Sequence, residues 1–438
     1  MNVWNKKIYI IVFVALSIFI FTSAAISECS APDIEWARSY GGTEVDQAYA
    51  IQQTTDGGYI VAGISKSNDG DVSGNHDKED FWIIKLDAKG DIVWQKSLGG
   101  SGNDRTSSIR QTADGGYIAA GTSDSNDGDA LGNYGSLDGW VVKLDGNGEL
   151  VWQRMFGGTM TDWIKDIQQT IDGGYIFTGT TFSRDSFMLK HPRYIANVWV
   201  VKLNAEGQIV WQRVFGGSKI DEGRAVQQTK DGGYVIAAYN TSSDGGIPKS
   251  HGEWDYWIIK LDAEGSVTWQ KTFGGSKFEV ANSIQETDEG YIVEGFSDST
   301  DGDVSGNYGS SDYWIVKLDT KGNIDWQRSL GGKDKEISAG IQQTKDGGYI
   351  IGGWSESNDG DVSGNHGKGD YWIIKLDARG DIVWQKSLGG SGTDRLNSIQ
   401  QTADGGYIVA GSSESNDGDV SGNHGASDFW IVKLKPEL

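Results

Sequence analysis

Short runs in which apolar and polar residues alternate recur along the chain, separated by glycine- and aspartate-rich breaks. Near the carboxyl end they read NSIQQT (397 to 402), GYIVAGSS (406 to 413) and DFWIVKL (428 to 434), and the preceding set adds DIVWQKS (381 to 387). Two-residue alternation with β-branched and aromatic residues predicts β-strands, and no stretch sustains the 3.6-residue period of a helix. The breaks TADGGY and LDARGD carry the turn chemistry of tight hairpins.

The runs belong to a repeat. The double glycine closing WQKSLGG begins at 41, 99, 157, 216, 274, 331 and 389, a spacing of 57 to 59 residues. Each unit holds four strand-like runs, but the last lacks its fourth. The missing piece stands at the other end, where DIEWARSYGG (33 to 42) matches DIVWQKSLGG (381 to 390). Complementary half-units are how a closed ring is latched, and closure removes exposed sheet edges. The expectation is therefore all-β: a seven-bladed β-propeller over residues 33–438, with four-stranded antiparallel blades and the first strand completing the last blade. Fourteen tryptophans repeat with the unit, seven before the double glycine (Trp36 to Trp384) and seven opening the third strand (Trp82 to Trp430), and are expected to pack blade against blade. Trp163, Trp254 and Trp354 depart from that pattern.

Residues 1–27 read as a signal peptide or N-terminal anchor: Lys6 and Lys7 precede the apolar IYIIVFVALSIFIF (8 to 21), and small residues follow. Residues 28–32 form a short linker. The single cysteine, Cys29, has no disulfide partner and follows the apolar run, where lipidation is an alternative although ISEC is a poor lipobox. The net charge of −23, with 61 acidic and 38 basic residues, argues against nucleic-acid binding. Export places the protein outside a prokaryotic cell, secreted or at the envelope.

The unit DGGYIVAG, DYWIIKLD and IVWQKSLGG resembles the tandem-repeat propellers of exported bacterial and archaeal surface proteins. The part KLDAKGDIVWQ is also similar to the repeat of quinoprotein-type propellers. The first resemblance implies a propeller; the second implies a quinone cofactor and a dehydrogenase-like activity, which is weakened because the chain lacks paired cysteines of the kind found beside that cofactor. A propeller fold alone specifies no function.

With the first strand of each blade innermost, the double-glycine link and the second-to-third-strand loop share one face. Three features there are candidate sites. An acid follows every second glycine by four residues (Asp46, Asp104, Asp162, Asp221, Glu279, Glu336, Asp394), which predicts an acidic ring at the channel mouth, either capping backbone N–H groups or attracting a cation. The loop NDGDVSGN recurs in full or near-full form in five blades, with Asp69, Asp71 and Asn75, Asp359, Asp361 and Asn365, and Asp417, Asp419 and Asn423 as candidate calcium ligands; the spacing departs from an EF-hand, and an Asx-type turn explains it as well. Blades three and four replace that loop with TFSRDSFMLKHPRYIAN (181 to 197) and NTSSDGGIPKSHGEWD (240 to 255). Trp163, Phe182, Arg184, Arg193, Tyr194 and Trp254 then form an aromatic and basic cluster suited to a glycan, peptide or protein ligand. Asn240 opens the glycosylation pattern NTS. No zinc-ligand set, nucleophile elbow or phosphate-cradling loop is present. The expected function is a non-catalytic binding module, with no cofactor required and calcium as a candidate; a purely structural envelope component is the alternative, and a quinone-dependent enzyme a weaker one.

Overall fold

A computed structural model describes residues 30–183 and 195–437. Residues 1–29, and with them the expected signal segment and Cys29, lie outside the described residues, as do Arg184, Arg193 and Tyr194.

The described residues form twenty-eight strands, β1 to β28 in chain order, and no helix. They make seven four-stranded sheets. Six blades follow the chain; the first contains β2 (Asp46–Gln53), β3 (Tyr59–Ser65), β4 (Asp80–Leu86) and β5 (Ile92–Leu98). The seventh is composite. Here β1 (Ile34–Tyr40) pairs antiparallel with β28 (Asp428–Leu434), outside β27 (Tyr407–Ser413) and β26 (Asp394–Gln401). The expected seven-bladed ring, latched by the amino-terminal strand, is the structure found.

The hairpin between the first and second strands explains the DGG motif. Gly57 takes φ +83° and donates to Thr54 O, while Asp56 Oδ1 accepts from the Gly58 N–H and the Thr54 hydroxyl. The same aspartate pairs with Lys85, whose side chain is buried beneath the turn. A Cβ on Gly58 would lie 2.2 Å from Leu86 O and 2.6 Å from Lys85 Nζ, so glycine is required by contact. Gly58→Ala is expected to cost roughly 1–3 kcal/mol, read as a lower urea midpoint at unchanged slope.

The repeated tryptophans divide as their positions suggest. Trp82, Trp140, Trp199, Trp257, Trp314, Trp372 and Trp430 are fully buried. Six of them, from Trp82 to Trp372, donate their indole N–H to the glutamine thirteen residues on, as in Trp82 to Gln95 at 2.9 Å. Neighbouring blades interlock through rings such as Phe81 against Trp140 at 4.5 Å. The other set sits edge-on to tyrosines of the next blade, Trp36 on Tyr59 and Trp94 on Tyr117.

The inner strands are stitched together by a feature that the repeat displays as QQT. Gln52 accepts the Gln111 N–H, Gln285 that of Gln343, Gln342 that of Gln401, and Gln400 that of Gln53. These glutamines line the narrow part of the channel, a cavity of about 250 Å³.

Candidate functional site at the loop-face mouth of the channel

Every innermost strand carries a bulge at the same place. In β2 the pairing with β3 skips Tyr49, between Ala48 and Ala50. In β6 (Asp104–Gln111), β10 (Asp162–Gln169) and β14 (Asp221–Gln228) the skipped residues are Ser107, Lys165 and Arg224. In β18 (Glu279–Thr287), β22 (Glu336–Gln343) and β26 they are Asn282, Ala339 and Asn397. A bulge leaves one residue unpaired and re-aims its side chain. All seven line a single cavity of about 650 Å³ at the loop face. The backbone device is therefore identical in all blades while its side chain differs almost everywhere.

Three of the bulge residues spend their polar groups between blades. Asn282 donates to Ser338 O at 2.8 Å, Asn397 to Ala48 O at 2.8 Å and Ser107 to Ile164 O at 3.0 Å. Lys165 and Arg224, on adjacent blades, make no such bond and form no ion pair with a described residue. Lys165 Nζ instead lies 5.7 Å from the centre of the Trp163 ring, and the Arg224 guanidinium lies 5.4 Å from that of Tyr239. Burial, and then the charge of Arg224, hold the Lys165 amine down at about 8, with Glu222 opposing. The Arg224 Nε and Trp163 Nε1 donors are buried without acceptors. Arg105 also lines the cavity, paired with Glu79, and Trp354 on the opposite side carries Arg395 at 4.9 Å. Among the described lining residues there is no carboxylate.

The proposed aromatic cluster is partly assembled around this mouth. Trp163 lines it and meets Phe182 edge-on at 5.6 Å. Trp254 stacks on Tyr239 at 4.7 Å and 10° and so stands behind Arg224, outside the cavity wall. Sequence patterning missed Tyr49, Arg105, Lys165 and Arg224, and it set Trp354 apart from the repeat without assigning it to the site. Its available signal was the variability of one position, four residues into each QQT strand, within an otherwise uniform repeat.

The seven acids open the innermost strands as expected but have no exposed surface. Each accepts the N–H of the glycine four residues earlier, as Asp46 does from Gly42 at 2.8 Å, and in most blades a serine hydroxyl too. Six stand beside an aspartate that opens the third strand of a neighbouring blade; a Cβ on Gly99 would be 2.6 Å from Asp104 Oδ2 and 2.7 Å from Asp80 Oδ1. This crowding explains the first glycine of the pair. Desolvation pushes Asp80 up to about 6, with His76 opposing, and Asp312, which has Tyr308 in the histidine's place, to about 7.

The repeated loop is held by its own and neighbouring backbone. Asp69 accepts from the Thr43 N–H and hydroxyl, Asp71 from the Gly41 N–H, and Asn75 donates to Ser65 O and accepts from the Asp77 N–H. Asp359, Asp361 and Asn365, and Asp417, Asp419 and Asn423, repeat the arrangement. Among the described residues no group of three or more His, Cys, Asp or Glu side chains is placed to hold a metal ion. Asn240, the expected glycosylation acceptor, is buried and donates its amide to Ser242 O at 2.8 Å, which leaves it inaccessible to a glycan in the folded protein.

No known family matches the chain. It is similar to the regulatory protein FlaEY of Caulobacter vibrioides, 25% identical over 351 residues, which make up 70% of this chain and 36% of that protein. The chain thus spans about a third of that relative's length. Solved structures with a similar course of the chain are varied. They include the Pan2 WD40 domain of Neurospora crassa (9% identity, 88% of each chain, TM-score 0.49) and a quinohemoprotein alcohol dehydrogenase of Pseudomonas putida (10% identity, 87% of this chain and 66% of that one, TM-score 0.44). A third is described as a putative gluconolactonase (11% identity, 91% of each chain, TM-score 0.37).

Proposed function

We propose that the protein is an exported or cell-surface propeller that acts as a non-catalytic binding module, with its ligand seated at the loop-face mouth of the channel. The observation that carries this reading is the set of seven bulges, one per blade, presenting unlike side chains to one cavity of about 650 Å³. A cavity of that size with ring faces and a few fixed polar groups suits ligand recognition. Its described wall offers stacking rings and fixed positive charge and lacks a carboxylate that could serve as a general acid or base. The charged and apolar start of the chain supports export. The ligand is a glycan, peptide or protein segment able to reach the mouth.

The test is an array of cell-surface glycans and peptides probed with wild type and Trp163→Ala. Any captured ligand is expected to lose roughly tenfold or more in affinity, since a central ring in a desolvated pocket is a typical binding hot spot. Binding equal to wild type throughout would reject the channel mouth as the site.

A further inference from the structure

We infer that the channel mouth takes an acidic saccharide, a short sugar chain bearing carboxylates. This deepens the binding reading above and rests on it.

The charge distribution singles out an anion. The chain carries 61 acidic and 38 basic residues, yet Lys165 and Arg224 line the cavity without an ion-pair partner among the described residues, beside Arg105, which Glu79 already pairs; Glu222 acts on Lys165 from outside the lining, and the described wall itself has no acid. Two of these cations occupy the same bulge position on neighbouring strands, β10 and β14. Like charges so placed raise the free energy of the empty site, and a bound carboxylate would lower it. Lys165 is positioned by Trp163 and Arg224 by Tyr239, so neither has to be ordered when ligand arrives. The Arg224 Nε–H is a buried donor without an acceptor, and a guanidinium is the side chain that can offer a carboxylate paired N–H bonds.

The remaining wall favours a sugar as the carrier of that charge. Trp163, Trp354 and Tyr49 line the cavity with aromatic surface against which the C–H groups of a sugar can pack. The same two blades abandon the repeated loop, so the two bulge cations and the break in the repeat coincide in blades three and four.

The test is calorimetric titration of the protein with trigalacturonate, its fully methyl-esterified form, triglutamate and inorganic phosphate. Trigalacturonate is expected to bind about tenfold or more tightly than the ester, and to weaken about tenfold in Lys165→Met and in Arg224→Gln, consistent with loss of one partner of a desolvated charge pair. Both substitutions lie on the channel surface, and melting curves verify that each variant is folded. Equal binding of acid and ester, unchanged binding in both variants, or no binding of trigalacturonate overturns the inference. So does triglutamate binding more tightly, or phosphate competing as effectively as the saccharide. If trigalacturonate fails while arrayed ligands are lost in Trp163→Ala, the binding site stands and only its ligand class falls. If Trp163→Ala loses nothing, the site itself is wrong.

Discussion

Glu294→Gln is expected to remove a large part of the protein's loss of stability between pH 5 and pH 8. Glu294 sits in β19 (Gly290–Ser297) at a place held by Ala62, Ala120, Thr178, Ala237, Gly352 and Ala410 in the other blades. It is fully buried, and neither carboxyl oxygen has a hydrogen-bond partner, the nearby Ser338 hydroxyl donating to Gly295 O instead. Burial pushes it up to about 8 from an ordinary value of 4.5. A carboxyl raised in this way contributes its stability below the unfolded value and loses it as pH rises toward the folded one. At pH 7 the loss is on the order of 3 kcal/mol. Asp80, raised to about 6, and Asp312, raised to about 7, add slope of the same sign, so the variant's curve should be flatter but not flat. Glu294→Ala, which restores the usual residue of the repeat, should exceed wild type at pH 8. Urea midpoints at pH 5 and pH 8 check this, and parallel pH dependence of wild type and Glu294→Gln would refute it. The opposite sign operates in acid. Asp56, Asp114, Asp172 and Asp231, held down at about 2 against burial by turn hydrogen bonds and their buried lysines, contribute stability above their ordinary value of 3.8 and lose it as pH falls toward 2. Stability should therefore peak in weakly acidic solution.

Removing residues 33–42 is expected to open the ring. Without β1, the outer edge of β28 loses a partner paired from Ile34 with Leu434 to Tyr40 with Phe429. Tyr59 loses the edge of Trp36, and the Tyr40 hydroxyl no longer reaches Gly90 O, a 2.6 Å bond to the first blade. An exposed flat edge in a chain of this size favours strand addition between molecules. The truncated protein should melt well below wild type and associate in a concentration-dependent way. A synthetic peptide of residues 33–42 added in trans should restore both properties. A truncated chain that stays monomeric and melts like wild type would show that the ring does not depend on this latch.

The blade count and the latch were legible because each rests on covalent order. The double glycine marks every unit, and DIEWARSYGG supplies the run missing after DFWIVKL. The buried tryptophans were equally legible, since ring size and fixed position in the repeat leave few alternatives to interblade packing. The acids after each double glycine were legible as a set, but not their burial: whether such a carboxylate faces the channel or the gap between blades depends on the turn of the backbone at Gly41 and Gly42, set by Asp46, Asp69 and Asp428 together.

The candidate site divides in the same way. Trp163 and the irregular loops of blades three and four could be chosen from sequence, because they break a repeat. Lys165 and Arg224 could not be placed as neighbours on a cavity wall from sequence alone. In a regular strand, one residue of register reverses which face a side chain takes, and the bulge that supplies this shift arises from pairing between β2 and β3 and its counterparts. By itself the sequence determined a closed seven-bladed ring, since the repeat and its complementary ends prescribe it. Only the tertiary structure decided which side chains enter the channel, because that depends on hydrogen-bond register between strands and on which neighbours satisfy each polar group.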